Sequence, residues 1–266
     1  MTIFLRELVR NRKSFIIWLV SLVALNALMI LMYPSIASQA EKFDEMIKNY
    51  PQGLVQAFGM DRLSFGNILH YYGTEAYLFI TLFGSIFAMI LGAGIISKEE
   101  SDKTIEFLLA KPVTRNTIIT SKVLAAFFYI VLFNLIFALT NLIMFQAVKP
   151  GGYDMTGFIL VSVGPLLLHL IFASIGLLIS VFVVKAKAVY PISIGAVLGA
   201  YFLSIAASVS DKLANIKYVT PFKYFEAADL ILDEKIKGLY LAVTFIIIVS
   251  TVGLTYLFYN RKNISV

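Results

Sequence analysis

Six stretches of the chain pass without a single Asp, Glu, Lys or Arg: 14–33, 77–96, 123–146, 158–184, 188–209 and 239–259, each 20 to 27 residues long. A hydrocarbon core about 30 Å thick is crossed by about 20 apolar residues rising about 1.5 Å each. The pattern therefore predicts six transmembrane helices. Only Lys185 and Lys187 interrupt the fourth and fifth stretches, and one helix through both would measure about 78 Å, too long for one bilayer. The lysines mark a tight turn at a membrane face, with Pro191 in the first turn of the next helix, where its missing N–H does no harm. Before the first stretch, Ile3, Phe4, Leu5, Leu8 and Val9 fall largely on one helical face against Arg6, Glu7, Arg10 and Arg12, which predicts an N-terminal amphipathic interfacial helix over 1–13. A signal-peptide reading competes, because small residues Ala37, Ser38 and Ala40 follow the first stretch. It is disfavoured: signal peptides carry an apolar run of only ~7 to 15 residues, and removing this one would leave five spans.

Composition sharpens the picture. Hydrophobic residues make up 59% and charged residues 14% of 266, against about 25% charge in ordinary soluble domains. A soluble shell is missing, and the expected fold is all-α, a polytopic membrane protein built as one domain over 1–266. Cysteine is absent, which removes thiolate metal sites and cysteine nucleophiles. The net charge of +6 invites a nucleic-acid reading, but 13 of the 22 basic residues sit at the N-terminus, in 97–122, at 185–187 and in the tail. By the positive-inside rule these segments, and both termini, are cytoplasmic; no nucleic-acid partner is expected. There is no Gly-Lys dipeptide and hence no P-loop, no H-E-x-x-H and no G-x-S-x-G; the two histidines, His70 and His169, are far apart. The chain is expected to catalyse nothing and to bind no cofactor or metal itself.

The connection 97–122 is the most densely charged segment. Glu99, Glu100 and Asp102 stand where acids favour a helix N-terminus. A short helix over about 102–110 would group Ile105, Leu108 and Leu109, Pro112 would stop it, and Thr114 is placed to cap the following helix. Read from the residues alone, this is a solvated surface helix or a docking lever for a cytoplasmic partner.

The run Glu-Ser-Asp-Lys-Thr-Ile-Glu-Phe-Leu-Leu-Ala-Lys-Pro-Val-Thr-Arg (100–115), with Lys122 downstream, resembles the loop of type-2 ATP-binding-cassette (ABC) transporter permeases. There an acidic stretch precedes Thr-x-Glu-x-Leu-Leu, a Pro, an Arg and a Lys. Residues 50–59 and 221–229 agree with the resemblance, which extends over the whole chain; many members have Gly where this chain has Lys103. The resemblance implies the permease subunit of an exporter, paired with a second permease chain, identical or homologous, and with two cytoplasmic ATPase subunits that hold ATP and Mg. It implies a coupling helix at about 101–110, with Glu99, Glu100, Asp102, Thr104, Ile105, Glu106, Phe107, Leu108, Leu109 and Arg115 as the ATPase-coupling residues. Lys185 and Lys187 would form a second cytoplasmic contact or simply fix orientation.

Inside the spans, His169 reads as a neutral group hydrogen-bonded between helices or as an intramembrane polar site. Asn26, Asn134 and Asn141 read as interhelix hydrogen bonds. Gly195 and Gly199 form a G-x-x-x-G suited to helix packing or a dimer seam. The aromatics Tyr218, Phe222, Tyr224 and Phe225 read as anchors at the lipid–water boundary or as part of short interfacial or re-entrant helices before the last span. Two further function classes compete: a non-transporting membrane scaffold that recruits a cytoplasmic partner, and an ATP-independent secondary transporter. The latter is disfavoured by the lack of internal repeats and of mid-membrane ionisable groups beyond His169.

Overall fold

In lipid the backbone has no polar partner but itself, so each long apolar stretch closes its own hydrogen bonds as a helix. The computed structural model describes residues 3–57, 59–102, 113–149, 152–209 and 211–262. Its helices are α1 (Ile3–Ala37), α2 (Ala40–Ile47), α3 (Gln52–Ala57), α4 (Ile68–Ser101), α5 (Arg115–Val148), α6 (Met155–Phe182), α7 (Ala186–Val209), α8 (Ala227–Leu232) and α9 (Gly238–Arg261), and no strand occurs among the described residues. Six of them, α1, α4, α5, α6, α7 and α9, are long and apolar enough to cross a membrane. The protein is an all-α, multi-pass membrane protein.

Most spans outrun their charge-free stretches. The amphipathic helix expected over 1–13 is instead the start of α1, without a break. Its buried residues are polar, Glu7 and Asn11, whereas Leu5 and Val9 are 47% and 50% exposed. A charged partner on α5 draws Glu7 inward, which an apolar-face argument cannot anticipate. The second span begins at Ile68, nine residues before the predicted start. Asn67 caps it by accepting from the N–H groups of Leu69 and His70, and one π-helical turn, Tyr72–Ala76, carries Glu75. Thr114 caps α5 as predicted, its hydroxyl accepting from the Thr117 N–H at 3.2 Å. The Lys185–Lys187 turn is also present, but α7 starts at Ala186 and puts Pro191 in its second turn, not its first. The carbonyl that lacks a donor is then that of exposed Lys187, near the helix end.

α4 and α6 form the centre of the bundle, and small residues let them touch. A Cβ on Gly92 would collide with the Ala173 carbonyl oxygen, and one on Gly176 would lie 2.6 Å from the Met89 carbonyl oxygen. The backbones meet there because hydrogen occupies the place of a side chain. α1 lies along α5, α9 along α6, and α7 leans on α4. Aromatic rings fill the space between α1, α4 and α5: Phe15 sits 4.8 Å from Tyr129, and Phe87 5.1 Å from Phe133. Among the described residues, Gly195 and Gly199 of α7 have nothing within reach of an added Cβ. Packing within this chain is therefore carried by Gly92 and Gly176.

At the end of the bundle that carries α2, α3 and α8, the segment 221–232 wedges between α4 and α6. Tyr224 and Phe225 are 3% and 1% exposed, and the Tyr77 hydroxyl donates to the Phe225 carbonyl at 2.8 Å. These two rings are core rather than boundary anchors; Tyr218 is half exposed. Asp229 fastens the same wedge, accepting from Arg62 at 2.6 Å and Lys237 at 2.7 Å. Burial pushes the Asp229 carboxyl up, but the hydrogen bonds from Lys237 and Arg62 outweigh it and hold the group below its usual value.

Candidate functional site

The residues that flank 103–112 gather at the other end of the bundle, beside both described ends of the chain. Ser101 closes α4 and Arg115 opens α5. Glu99 and Glu100, expected at the N-terminus of a surface helix, lie in the last turn of α4. They point to different neighbours. Asp102 is exposed just beyond. Thr104, Ile105, Glu106, Phe107, Leu108 and Leu109 lie outside the described residues.

Glu99 belongs to a buried ionic cluster shared by α1, α4 and α5. The Lys122 ammonium has three donors and three acceptors within reach: Glu7 Oε1 at 2.8 Å, Glu99 Oε2 at 2.9 Å and the Ile95 carbonyl at 2.6 Å. Lys122 is 0% exposed, and Glu7 and Glu99 are 1%. Arg10 adds a second cation, 3.4 Å from Glu7 and 3.7 Å from Glu99. Asn11 donates to the Glu7 backbone carbonyl at 3.0 Å and accepts from Lys98 at 3.5 Å. Charges withdrawn from water this far persist only when they are paired and hydrogen-bonded. The cluster meets that condition by recruiting partners from three helices.

Glu100 faces the opposite way, toward α9. Both of its carboxylate oxygens accept from Lys262 at 2.6 Å, and the same ammonium donates to the Val181 carbonyl at the end of α6 at 2.7 Å. Arg115 donates to the carbonyls of Tyr259, Asn260 and Lys262 at 3.2, 3.1 and 2.8 Å. These carbonyls lie at the C-terminal end of α9, and a guanidinium suits the negative end of a helix. Asn260 donates to Asn116 at 2.6 Å, and Thr120 meets Tyr256 at 2.8 Å. The two sides of 103–112 are thus tied on one flank to α1 and on the other to α6 and α9.

The remaining predicted residues lie apart from this root. Lys185 and Lys187 are exposed at the same end of the bundle. His169 is mid-span in α6 and 0% exposed. Its Nε2 faces the Ile80 carbonyl at 3.0 Å and its Nδ1 the Asn134 amide nitrogen at 3.0 Å. A carbonyl only accepts, so the proton sits on Nε2 and Nδ1 accepts from Asn134. Gly84 makes room for the ring, because a Cβ there would overlap it. Asn26 donates to Asn141 at 2.5 Å, and Asn141 donates to Tyr72 at 3.2 Å, linking α1, α5 and α4. A cavity of about 610 Å³ opens at the far end among Asp44, Lys48, Gln52, Asp61 and Arg62. Among the described residues no group of three or more His, Asp or Glu is placed to hold a metal ion.

Sequence reasoning missed the Glu7–Lys122–Glu99 cluster. From the sequence, Glu99 reads as an acid at a helix N-terminus and an ATPase-coupling residue, Lys122 as the lysine downstream in the family-like run, and Glu7 as part of the polar face of an interfacial helix. The available signal was a single acid, Glu7, amid the basic residues that precede a span.

Six helices long and apolar enough to cross a membrane, and a densely charged connection whose flanks are held in ion pairs, define a multi-pass membrane protein. A model of the ABC-2 family transporter proteins matches residues 1–264. The chain belongs to that family, whose members are generally non-catalytic membrane subunits. Among curated proteins no sequence match is found.

Proposed function

We propose that this chain, acting as one unit, is the permease subunit of an ABC exporter, driven by separate cytoplasmic ATPase subunits that grip it through 101–110. The observation that supports this reading is the root of that segment. Glu99 and Glu100 are adjacent in sequence, yet one is paired into α1 and α5 and the other into α6 and α9. A push on a floppy tether dissipates; a push on a helix end fastened to four neighbours displaces them. Swinging a two-state equilibrium from 1:99 to 99:1 takes about 5.5 kcal/mol of differential binding, so the connection must carry load. In this reading Ile105, Leu108 and Leu109, with Phe107 beside them, form the apolar face that seats in the ATPase, and Glu106 and Asp102 rim it. Thr104 lies on the same segment. Glu99, Glu100 and Arg115 secure its ends, and Lys185 and Lys187 add a second contact. ATP and Mg reside on the partner, both termini are cytoplasmic, and substrate crosses between this chain and a second permease.

Purification from native membranes tests the reading. A Walker-motif ATPase is expected to co-purify, and Leu108→Asp is expected to cut its hydrolysis at least tenfold while membrane insertion is unchanged. A chain that purifies without an ATPase, or hydrolysis indifferent to Leu108→Asp, overturns it.

A further inference from the structure

α1 sorts its charges by face. Its one acid, Glu7, points inward to Lys122, and Arg10 is drawn to the same cluster. Arg6, Arg12 and Lys13 stay exposed, and none of the three makes an ion pair with a described residue. Val9, Ile16 and Ile17 are exposed among and just beyond them at 50%, 53% and 65%. At 100° per residue, positions 6, 9, 13, 16 and 17 share one side of the helix. Arg6 and Lys13 are about 10 Å apart along the axis, comparable with the depth of a headgroup layer. From Ser14 onward the exposed side of α1 carries no charge down to Ala37. The cations therefore stop where the lipid-facing apolar surface starts.

We propose that this stripe binds the headgroup of an anionic phospholipid. Arg6 and Lys13 meet the phosphate and the headgroup charge, Arg12 adds a flanking cation about 100° round the helix from Lys13, and Val9 and Ile16 meet the upper part of an acyl chain. Long basic side chains reach out of the apolar zone while their stems lie along it, and basic residues beside a membrane span attract anionic lipid. Charge complementarity selects the occupant. A second copy of this helix would bring only more cations to the stripe, since Glu7 is buried and already paired. The inference does not depend on the ATPase reading.

The test uses the full chain purified in a mild detergent, with retained lipid read by native mass spectrometry and thermal stability followed alongside. The probes are phosphatidylglycerol, phosphatidylcholine and inorganic phosphate. Each cation near a membrane surface contributes about a fivefold preference, so phosphatidylglycerol is expected to win over phosphatidylcholine by at least tenfold, with the preference falling as salt rises. Replacing the three cations together (Arg6→Gln, Arg12→Gln, Lys13→Gln) should abolish the preference at unchanged stability without lipid, whereas Arg6→Lys with Arg12→Lys should keep it. Equal retention of the two lipids by the unaltered chain overturns the proposal. So does an undiminished preference in the glutamine variant, or equal stabilisation by inorganic phosphate, which would make this a free-anion site. A glutamine variant that dissociates a dimer and leaves lipid preference intact would assign the stripe to a second copy.

Discussion

Lys122 holds its ammonium where no water reaches, between two carboxylates and a backbone carbonyl. Removing the cation leaves Glu7 and Glu99 buried beside each other with like charge and takes away their closest positive partner. Lys122→Ala is therefore expected to lower stability by about 3–5 kcal/mol, the usual result of breaking a buried pair from one side. Neutralising all three together, Lys122→Met with Glu7→Gln and Glu99→Gln, should recover most of the loss. Thermal unfolding of the purified chain in detergent checks both, and a Lys122→Ala variant as stable as the parent would refute the buried pairing. The pairing was illegible in the sequence because its members are 115 positions apart from Glu7 to Lys122, and the one local sign, a lone acid among basic residues, does not name its partner. His169 was easier: a lone ionisable group inside an apolar stretch demands a neutral state and partners. Which partners, Asn134 and the Ile80 carbonyl, only the helix arrangement could say.

At the level of elements, all six spans and the turn at Lys185–Lys187 were readable because lipid forces apolar length and excludes charge. The cap at Thr114 was readable from local chemistry. The ends were not: Glu7, Glu75 and Lys122 belong to spans, and a search for uncharged runs stops short of them. Gly195 and Gly199 read as a helix-packing or dimer seam, and the close packing within the chain is found at other glycines. The G-x-x-x-G at Gly195 and Gly199 carries no packing among the described residues, whereas Gly92 and Gly176 lie in less conspicuous spacing and bring α4 and α6 into backbone contact. A methyl on Gly92 meets a carbonyl that cannot rotate away. Gly92→Ala is expected to cost about 1–3 kcal/mol or more through overpacking, whereas Gly195→Ala should be neutral or slightly stabilising, since alanine favours helix. Comparing the two variants by thermal unfolding decides the matter; equal effects would show that the seam lies elsewhere.

For the whole molecule, α4 is the buried axle, and α1, α7 and α9 present mostly exposed sides. That asymmetry suits a subunit whose outer helices meet lipid and a partner chain while its centre stays rigid. The proposed orientation puts the charged root on the cytoplasmic face. Because the chain has no cysteine, a single Lys103→Cys substitution gives an uncluttered readout. A membrane-impermeant thiol reagent should label it in inside-out vesicles and leave it untouched in intact cells. Labelling from outside would invert the topology and with it the assignment of the ATPase-facing side.

The divergence of Glu99 and Glu100 carries a mechanical implication. Neighbouring residues on a helix point about 100° apart, so the last turn of α4 resembles a crank with two connecting rods, one to α1 and one to α9. Sliding that turn along its axis would drag both outer helices the same way. Rotating it would pull on one rod as it slackens the other, so α1 and α9 would register twist with opposite sign and translation with equal sign.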